Sequence, residues 1–567
     1  MQNKKVLSTA VLSLALGFSA LAQPAVKFSL NGLGRSYNTY NHLSGNVTDG
    51  DTKTRKSGLG GYDLFDLQTN ISSDSAFTAM AVFRTKSDFG AFFGSSTTYK
   101  FRMFRVSGKV QDFKYEIGDI RVQMTPFTVF NSVDMYNKYE SEIFQIRRGI
   151  SEYENLNQGN SWLLQGAHVA YGHNFNDINV GAYGFISRLV PTNDLSTSDR
   201  ILAGGRLGVG FGDVIKVGGN YVGMYDNPIK TAAYLYSNHV GTGDFEYMKD
   251  GDASLLTIKL EGGASSYKYQ NNAGDTSKAY KDYFFDLNAG LVMKDAGLKF
   301  NLNVTDVGPY FNSPSAQTRR VLCNNMPSVF PSMANATLSR TGNLFDRMTD
   351  PTLYNSQIKG VLSTFRSEYN NAQPFGKATP NRQGASIGVS SDTTMKNISF
   401  EVGVDYLMEI VGEGTTEKRN FLVAKGGVKL DLGKMADVKR KIDFTLGGRM
   451  EKTSRDGSAS VALMSTLVDA GLSFEVVKKV DLIIGYKTLM ATGNEYQAPR
   501  DNYNQITNIS SVNIKSTEGI ASGAIQLRFS PSQAFSLQYN MINYNNSLVT
   551  ANSYNISQFL VTYTGKF

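Results

Sequence analysis

Two arginine pairs are the residues best suited to chemistry on a ligand: Arg147-Arg148, inside an irregular stretch from 124 to 160, and Arg319-Arg320, inside another from 307 to 382. A guanidinium presents a planar fork of donors that fits a carboxylate, phosphate or sulfate. In a constriction such pairs would favour anions; against a wall they would pin a loop through ion pairs, and both readings stay open. The four histidines, His42, His168, His173 and His239, form no HExxH pattern and no metal-ligand spacing. Asp49, Asp51, Asp250 and Asp252 lie in Gly-Asp loops without the spacing of a calcium loop. Gly208 to Gly212 reads as glycines of a curved strand, because the strand-to-helix setting of a dinucleotide loop is missing. The expectation is therefore no enzyme, no cofactor and no metal.

What must position the arginines is a framework of strands. Phe285, Leu287, Ala289 and Leu291 alternate with polar residues before a turn at Lys294, and Leu298, Phe300, Leu302 and Val304 alternate after it. Phe400, Val402, Val404, Tyr406 and Met408 repeat the pattern, as do Ile525, Leu527 and Phe529 against Phe535, Leu537 and Tyr539. Neighbouring side chains of a strand point to opposite faces, so each strand has one apolar and one polar side. In a soluble fold a second layer would have to cover those apolar faces, and no clear helical segment supplies it. Only 13 Pro and one Cys, Cys323, stand against 55 Gly, 30 Tyr and 34 Phe, so no disulfide framework is available and no linker divides the chain. The fold class expected is all-β: a single large antiparallel transmembrane β-barrel, apolar outside and polar inside.

Short turns alternate with long loops, which gives roughly 22 strands within a range of about 18 to 24. In this reading 226–252 is a long loop, and Ser254 to Gln270 has two readings: one strand, which breaks the even count, or two strands around Gly262-Gly263, which restore it. Strand parity turns Lys100, Arg102, Lys114, Glu116, Lys425, Lys429, Asp431, Arg449, Glu451, Lys487 and Arg528 toward the lumen. Mixed charges there would set ion preference or simply pair with one another. The stretches 124–160 and 307–382 break the hairpin rhythm. A barrel this wide would not be left empty in a selective channel, so one or both are expected to fold inward as a constriction, the alternative being extracellular loops.

The two ends carry a family resemblance. Residues 1–22 read as a secretory signal, with Lys4 and Lys5 before an apolar run and Ala20-Leu21-Ala22 as the cleavage site, leaving 23–567 as the barrel. Beyond it no apolar run reaches the roughly 18 residues of a helical span. Loss of Lys4 and Lys5 takes the formal charge from +8 to +6, too small a bias to suggest nucleic acid. At the other end Phe559, Val561, Tyr563 and Phe567 share one face and finish on an aromatic carboxy terminus. This resembles the carboxy-terminal assembly signal of Gram-negative outer-membrane β-barrels of the porin-like kind.

That resemblance implies a location in the bacterial outer membrane and contact with its lipid. It also implies recognition of the last strand by the barrel-assembly machinery. The function it suggests is a channel for passive or solute-selective diffusion of small polar or anionic solutes. The alternative is a structural or docking barrel whose long loops bind an extracellular ligand or protein. An energised receptor would need a plug ahead of the barrel, whereas strand pattern here begins near Val26.

Overall fold

In a computed structural model the chain closes on itself as one sheet of 22 strands. The structure describes residues 26–46, 57–73, 77–88, 97–130, 138–151, 153–154, 164–190, 198–227, 234–271, 277–316, 367–391, 395–499, 501 and 505–567. The first eleven strands are β1 (Val26–Gly45), β2 (Gly58–Ser73), β3 (Phe77–Asp88), β4 (Thr98–Val110), β5 (Phe113–Ile120), β6 (Leu164–Phe175), β7 (Ile178–Val190), β8 (Asp199–Phe211), β9 (Ile215–Asn227), β10 (Tyr234–Asp250) and β11 (Ser254–Asn271). The rest are β12 (Ser277–Met293), β13 (Leu298–Val307), β14 (Arg382–Ser391), β15 (Ile398–Met408), β16 (Asn420–Asp431), β17 (Ile442–Arg455), β18 (Val461–Val477), β19 (Val480–Gln497), β20 (Ser510–Ser530), β21 (Gln533–Asn546) and β22 (Tyr554–Lys566). Among the described residues two α-helices break the pattern, α1 (Glu142–Ser151) between β5 and β6 and α2 (Leu432–Met435) in the turn after β16.

Each strand pairs antiparallel with its neighbour in sequence, and β1 pairs with β22 from Leu33–Lys566 to Gly45–Tyr554, which closes the wall. Closure leaves no free edge along the seam, the condition for placing strands in hydrocarbon. The carboxy-terminal ring of Phe567 crosses the seam on the outside: it lies over Gly32, where a side chain would collide with it, and stacks on Phe65 with ring centroids 5.8 Å apart. Phe559, Val561 and Tyr563 share that outer face with it. Apolar side chains such as Leu207, Ile387, Val402 and Ile525 point outward all around the wall and are exposed. A wall apolar outside and polar inside is one built to face lipid.

One end of the barrel carries tight turns. Asn176 stands at φ 52° in the two-residue turn between β6 and β7, a conformation that matches strand twist and suits Asn. The other end carries the long connections, among them 121–163 and 308–381.

The reading of 226–252 as loop is corrected by the structure, and of the two readings of 254–270 the structure has the single strand. β10 fills most of the first segment, and β11 runs unbroken through Gly262 and Gly263. The glycines mark a close approach instead of a turn. Gly262 and Gly263 pair with Gly243 and Thr242, and a Cβ on Gly263 would lie 2.9 Å from the Phe284 ring on the next strand. β10 supplies the strand that dividing 254–270 would have added, so the count of 22 is reached with a single strand there.

Candidate functional site: a lumen occupied by the chain itself

The residues after β5 descend into the barrel and cross it. Phe127 stacks on Phe284 of β12 at 3.9 Å, and Phe311, just after β13, meets Phe284 edge-on at 5.0 Å. Lys138 pairs with Glu401 of β15 at 2.9 Å, and the Tyr139 hydroxyl lies 3.0 Å from Ser399. Lys441, at the foot of β17, holds Glu142 of α1 at 2.6 Å. Beyond α1, Tyr153 and Glu154 reach β1 to β4. The described residues of this strap, 121–130, 138–151 and 153–154, thus touch the inner wall on nearly every side.

Glycines make the room for it. Tyr139 lies against Gly427 of β16, Ser141 against Gly471 of β18, and Ile143 against Gly485 of β19. A Cβ on Gly485 would stand 2.6 Å from Ile143 Cγ2, and one on Gly427 would stand 2.7 Å from Tyr139 Cβ. Ile143 and Phe144 are buried on this seat among Leu467, Ile483, Leu489 and Ile520.

Charge then fixes the helix. Glu140 pairs with Lys487 of β19 and with Arg148 at 2.8 Å, and Lys487 lies 3.1 Å from Asp469 of β18. Burial pushes the Glu140 carboxyl up, but Lys487 and Arg148 outweigh it and hold it below the ordinary glutamate range. For Glu142 burial is likewise overcome, chiefly by Lys441. Arg147 is buried and donates to the Tyr37 hydroxyl on β1 and, at 2.9 Å, to Gln558 Oε1 on β22.

A second cluster lies where the strap meets β1 to β4. Arg84 grips Asp66 with two bonds of 2.6 Å, and Arg102 and the Tyr153 hydroxyl each reach Asp66 Oδ2 at 2.7 Å. The Tyr153 ring lies 4.0 Å from the Arg102 guanidinium carbon, and Arg35 pairs with Glu154.

The described ends of 308–381 also turn inward. The Ser315 hydroxyl donates to the Thr128 carbonyl at 2.6 Å, joining this segment to the strap. Tyr369 donates to Glu518 of β20, and the Ala372 N–H donates to Glu451 of β17 at 2.8 Å. Arg382 holds the Ala372 carbonyl at 2.6 Å. Arg319, Arg320 and Cys323 lie outside the described residues, as do residues 1–22.

The structure places the wall residues singled out by parity on the inner face, mostly in pairs. Lys425 meets Asp405 at 3.3 Å, Lys429 meets Asp443 at 3.7 Å, Arg449 meets Glu451 at 2.5 Å, and Arg528 meets Asp481 at 2.6 Å. Lys100 stays exposed in the lumen beside Arg84 in register. Toward the tight-turn end of the same wall, Lys109 of β4 stands directly opposite Lys114 of β5, both exposed, with Arg105 only 3.9 Å from Glu116. Sequence reasoning misses Asp66, Arg84, Glu140, Tyr153, Glu154 and the glycine seat. The signal available for the seat is the pairing of glycines at inward positions, Gly427 with Gly447 and Gly471 with Gly485.

No protein-family model matches the chain, and neither does any curated protein. Solved outer-membrane proteins are similar to it in fold. The outer membrane protein OpdK of Pseudomonas aeruginosa aligns over 95% of this chain and 99% of its own at 8% identity and a TM-score of 0.35. OccAB1 of Acinetobacter baumannii aligns over 97% and 99% at 8% and 0.32. The ferric citrate transporter FecA aligns over 96% and 79% at 9% and 0.48. Likenesses this weak bear no weight on function; the 22-strand barrel is established by its own strand pairing.

Proposed function

We propose that the chain is an outer-membrane channel for passive diffusion of small polar solutes, with a preference for anions, narrowed by its own strap. The observation that carries the reading is the contrast between two parts of the lumen. α1 and its neighbours are held to the wall by the buried Glu140–Lys487 pair, which Asp469 shares, and by the half-buried Glu142–Lys441 pair. The wall at β4 and β5 instead leaves Lys100, Lys109 and Lys114 exposed to the interior. Like charges set opposite each other on adjacent strands cost stability, about 0.2–1 kcal/mol, and an anion passing between them removes that cost. Passage would depend on size and on charge, with no covalent step.

Single-channel conductance in a planar bilayer tests this, on the intact protein and on a variant in which 124–160 is replaced by a short flexible linker. A small anion-preferring conductance that grows in the variant is expected. No conductance in either protein would overturn the channel and leave a closed barrel whose long-loop end binds an external partner.

A further inference from the structure

The outer face of β10 to β12 ends in a cationic rim. On β12 the residues Phe285, Leu287, Ala289, Leu291 and Met293 face outward, with Tyr283 above them. Ten residues separate Tyr283 from Met293, about 26 Å along the barrel axis at ~3.4 Å per residue and a tilt of ~40°, the height of a barrel's apolar band. Immediately beyond Tyr283 the outward positions change character. His239, Ser266 and Lys281 stand side by side in register on three consecutive strands, and Lys268 stands opposite Ser237 one step further out.

Lys268, Lys281 and His239 are exposed, and neither lysine has an ion-pair partner among the described residues. The Tyr221 hydroxyl bonds His239 Nδ1 at 2.7 Å, which fixes the ring. Asp282 already accepts the backbone N–H groups of Tyr283 and Tyr310, and Asp306 on β13 lies lower, opposite Phe285. Cations at the upper edge of an apolar band meet the layer of lipid headgroups.

We propose that this rim binds the phosphate of a membrane-lipid headgroup, with Lys268 and Lys281 about its oxygens and the acyl chains lying along Tyr283, Phe285 and Leu287. The proposal rests on the barrel spanning a membrane with this end at a headgroup layer. It does not depend on conduction, because the lumen lies on the other side of the wall.

The test is native mass spectrometry of the intact protein in nonionic detergent with bisphosphorylated lipid A, the dephosphorylated glycolipid and inorganic phosphate as probes. Retention of the phosphorylated lipid should fall about 30-fold in Lys268→Gln/Lys281→Gln, at roughly 1 kcal/mol per lysine. It should persist in Lys268→Arg/Lys281→Arg, and the dephosphorylated glycolipid should not distinguish the proteins. Unchanged heat-modifiable migration of the Gln variant shows that it is folded. Equal retention by wild type and the Gln variant would overturn the site, and displacement of the lipid by equimolar inorganic phosphate would overturn the lipid as its ligand.

Discussion

The carboxylate of Asp469 on β18 accepts the backbone N–H of Ser141 at 3.1 Å, so the wall anchors the residue that starts α1. Ser141 in turn accepts the N–H groups of Phe144 and Gln145 at 3.0 Å. A helix of ten residues is marginal alone in water. Its start is set by the wall and its apolar face by the glycine seat, so helix formation and docking are one event.

The seat predicts the effect of adding bulk to it. Gly485→Val would drive a side chain into Ile143 and unseat α1, at a cost of about 1–3 kcal/mol. Bilayer conductance should rise in that variant. Gly523→Val adds a side chain on the outer face, where its Cβ meets nothing nearer than 3.9 Å, and should leave conductance unchanged. Equal behaviour of the two would show that α1 does not narrow the pore.

Removing one partner of the buried charge group should be worse than removing bulk. Lys487→Met leaves Glu140 and Asp469 buried without their shared cation, and breaking a buried pair in this way costs about 3–5 kcal/mol. Amide hydrogen exchange across 141–147 should accelerate accordingly, while exchange in β8 and β9, far around the wall, should stay as slow as in the wild type.

Acid should loosen the strap. Glu140 and Glu142 are both held below the ordinary glutamate value of 4.5, so the docking stability they supply is complete above that pH. It is lost as pH falls through their depressed values. Conductance should therefore rise on acidification below about pH 4.5. In Glu140→Gln/Glu142→Gln the conductance should already be high at neutral pH, and the acid-induced rise should shrink.

Charge selectivity should follow the β4–β5 wall. Lys109→Gln/Lys114→Gln removes two exposed cations that face each other, so the reversal potential in a salt gradient should move toward cation preference. Stability should hold or improve slightly, by about 0.2–1 kcal/mol, because a like-charge pair disappears. An unchanged reversal potential would place the conduction path elsewhere in the lumen.

Much of the wall is legible in the sequence because its signal is local: an apolar residue at every second position fixes strand, face and neighbour together. β12 and β13 show it, with Lys294 to Gly297 as their turn. The signal weakens where glycine replaces apolar residues, which is why β10 looks like a loop and β11 reads either as one strand or as a hairpin. The interior is harder to read. Glu140 finds Lys487 across 347 positions and Arg35 finds Glu154 across 119, and no spacing rule joins residues so far apart. Arg147 and Arg148 stand out as a pair, yet their surroundings show one tied to Tyr37 and Gln558 and the other to Glu140.

Arg147 bonds to both strands of the closure, Tyr37 on β1 and Gln558 on β22. The first-made and last-made parts of the wall are thus buttoned together from within by a residue belonging to neither. In the closed barrel the strap thus acts as an internal mandrel that holds the two ends of the wall in register. A chain with a displaced strap would still zip its backbone shut, but it would do so without the internal guide that tells the ends where to meet.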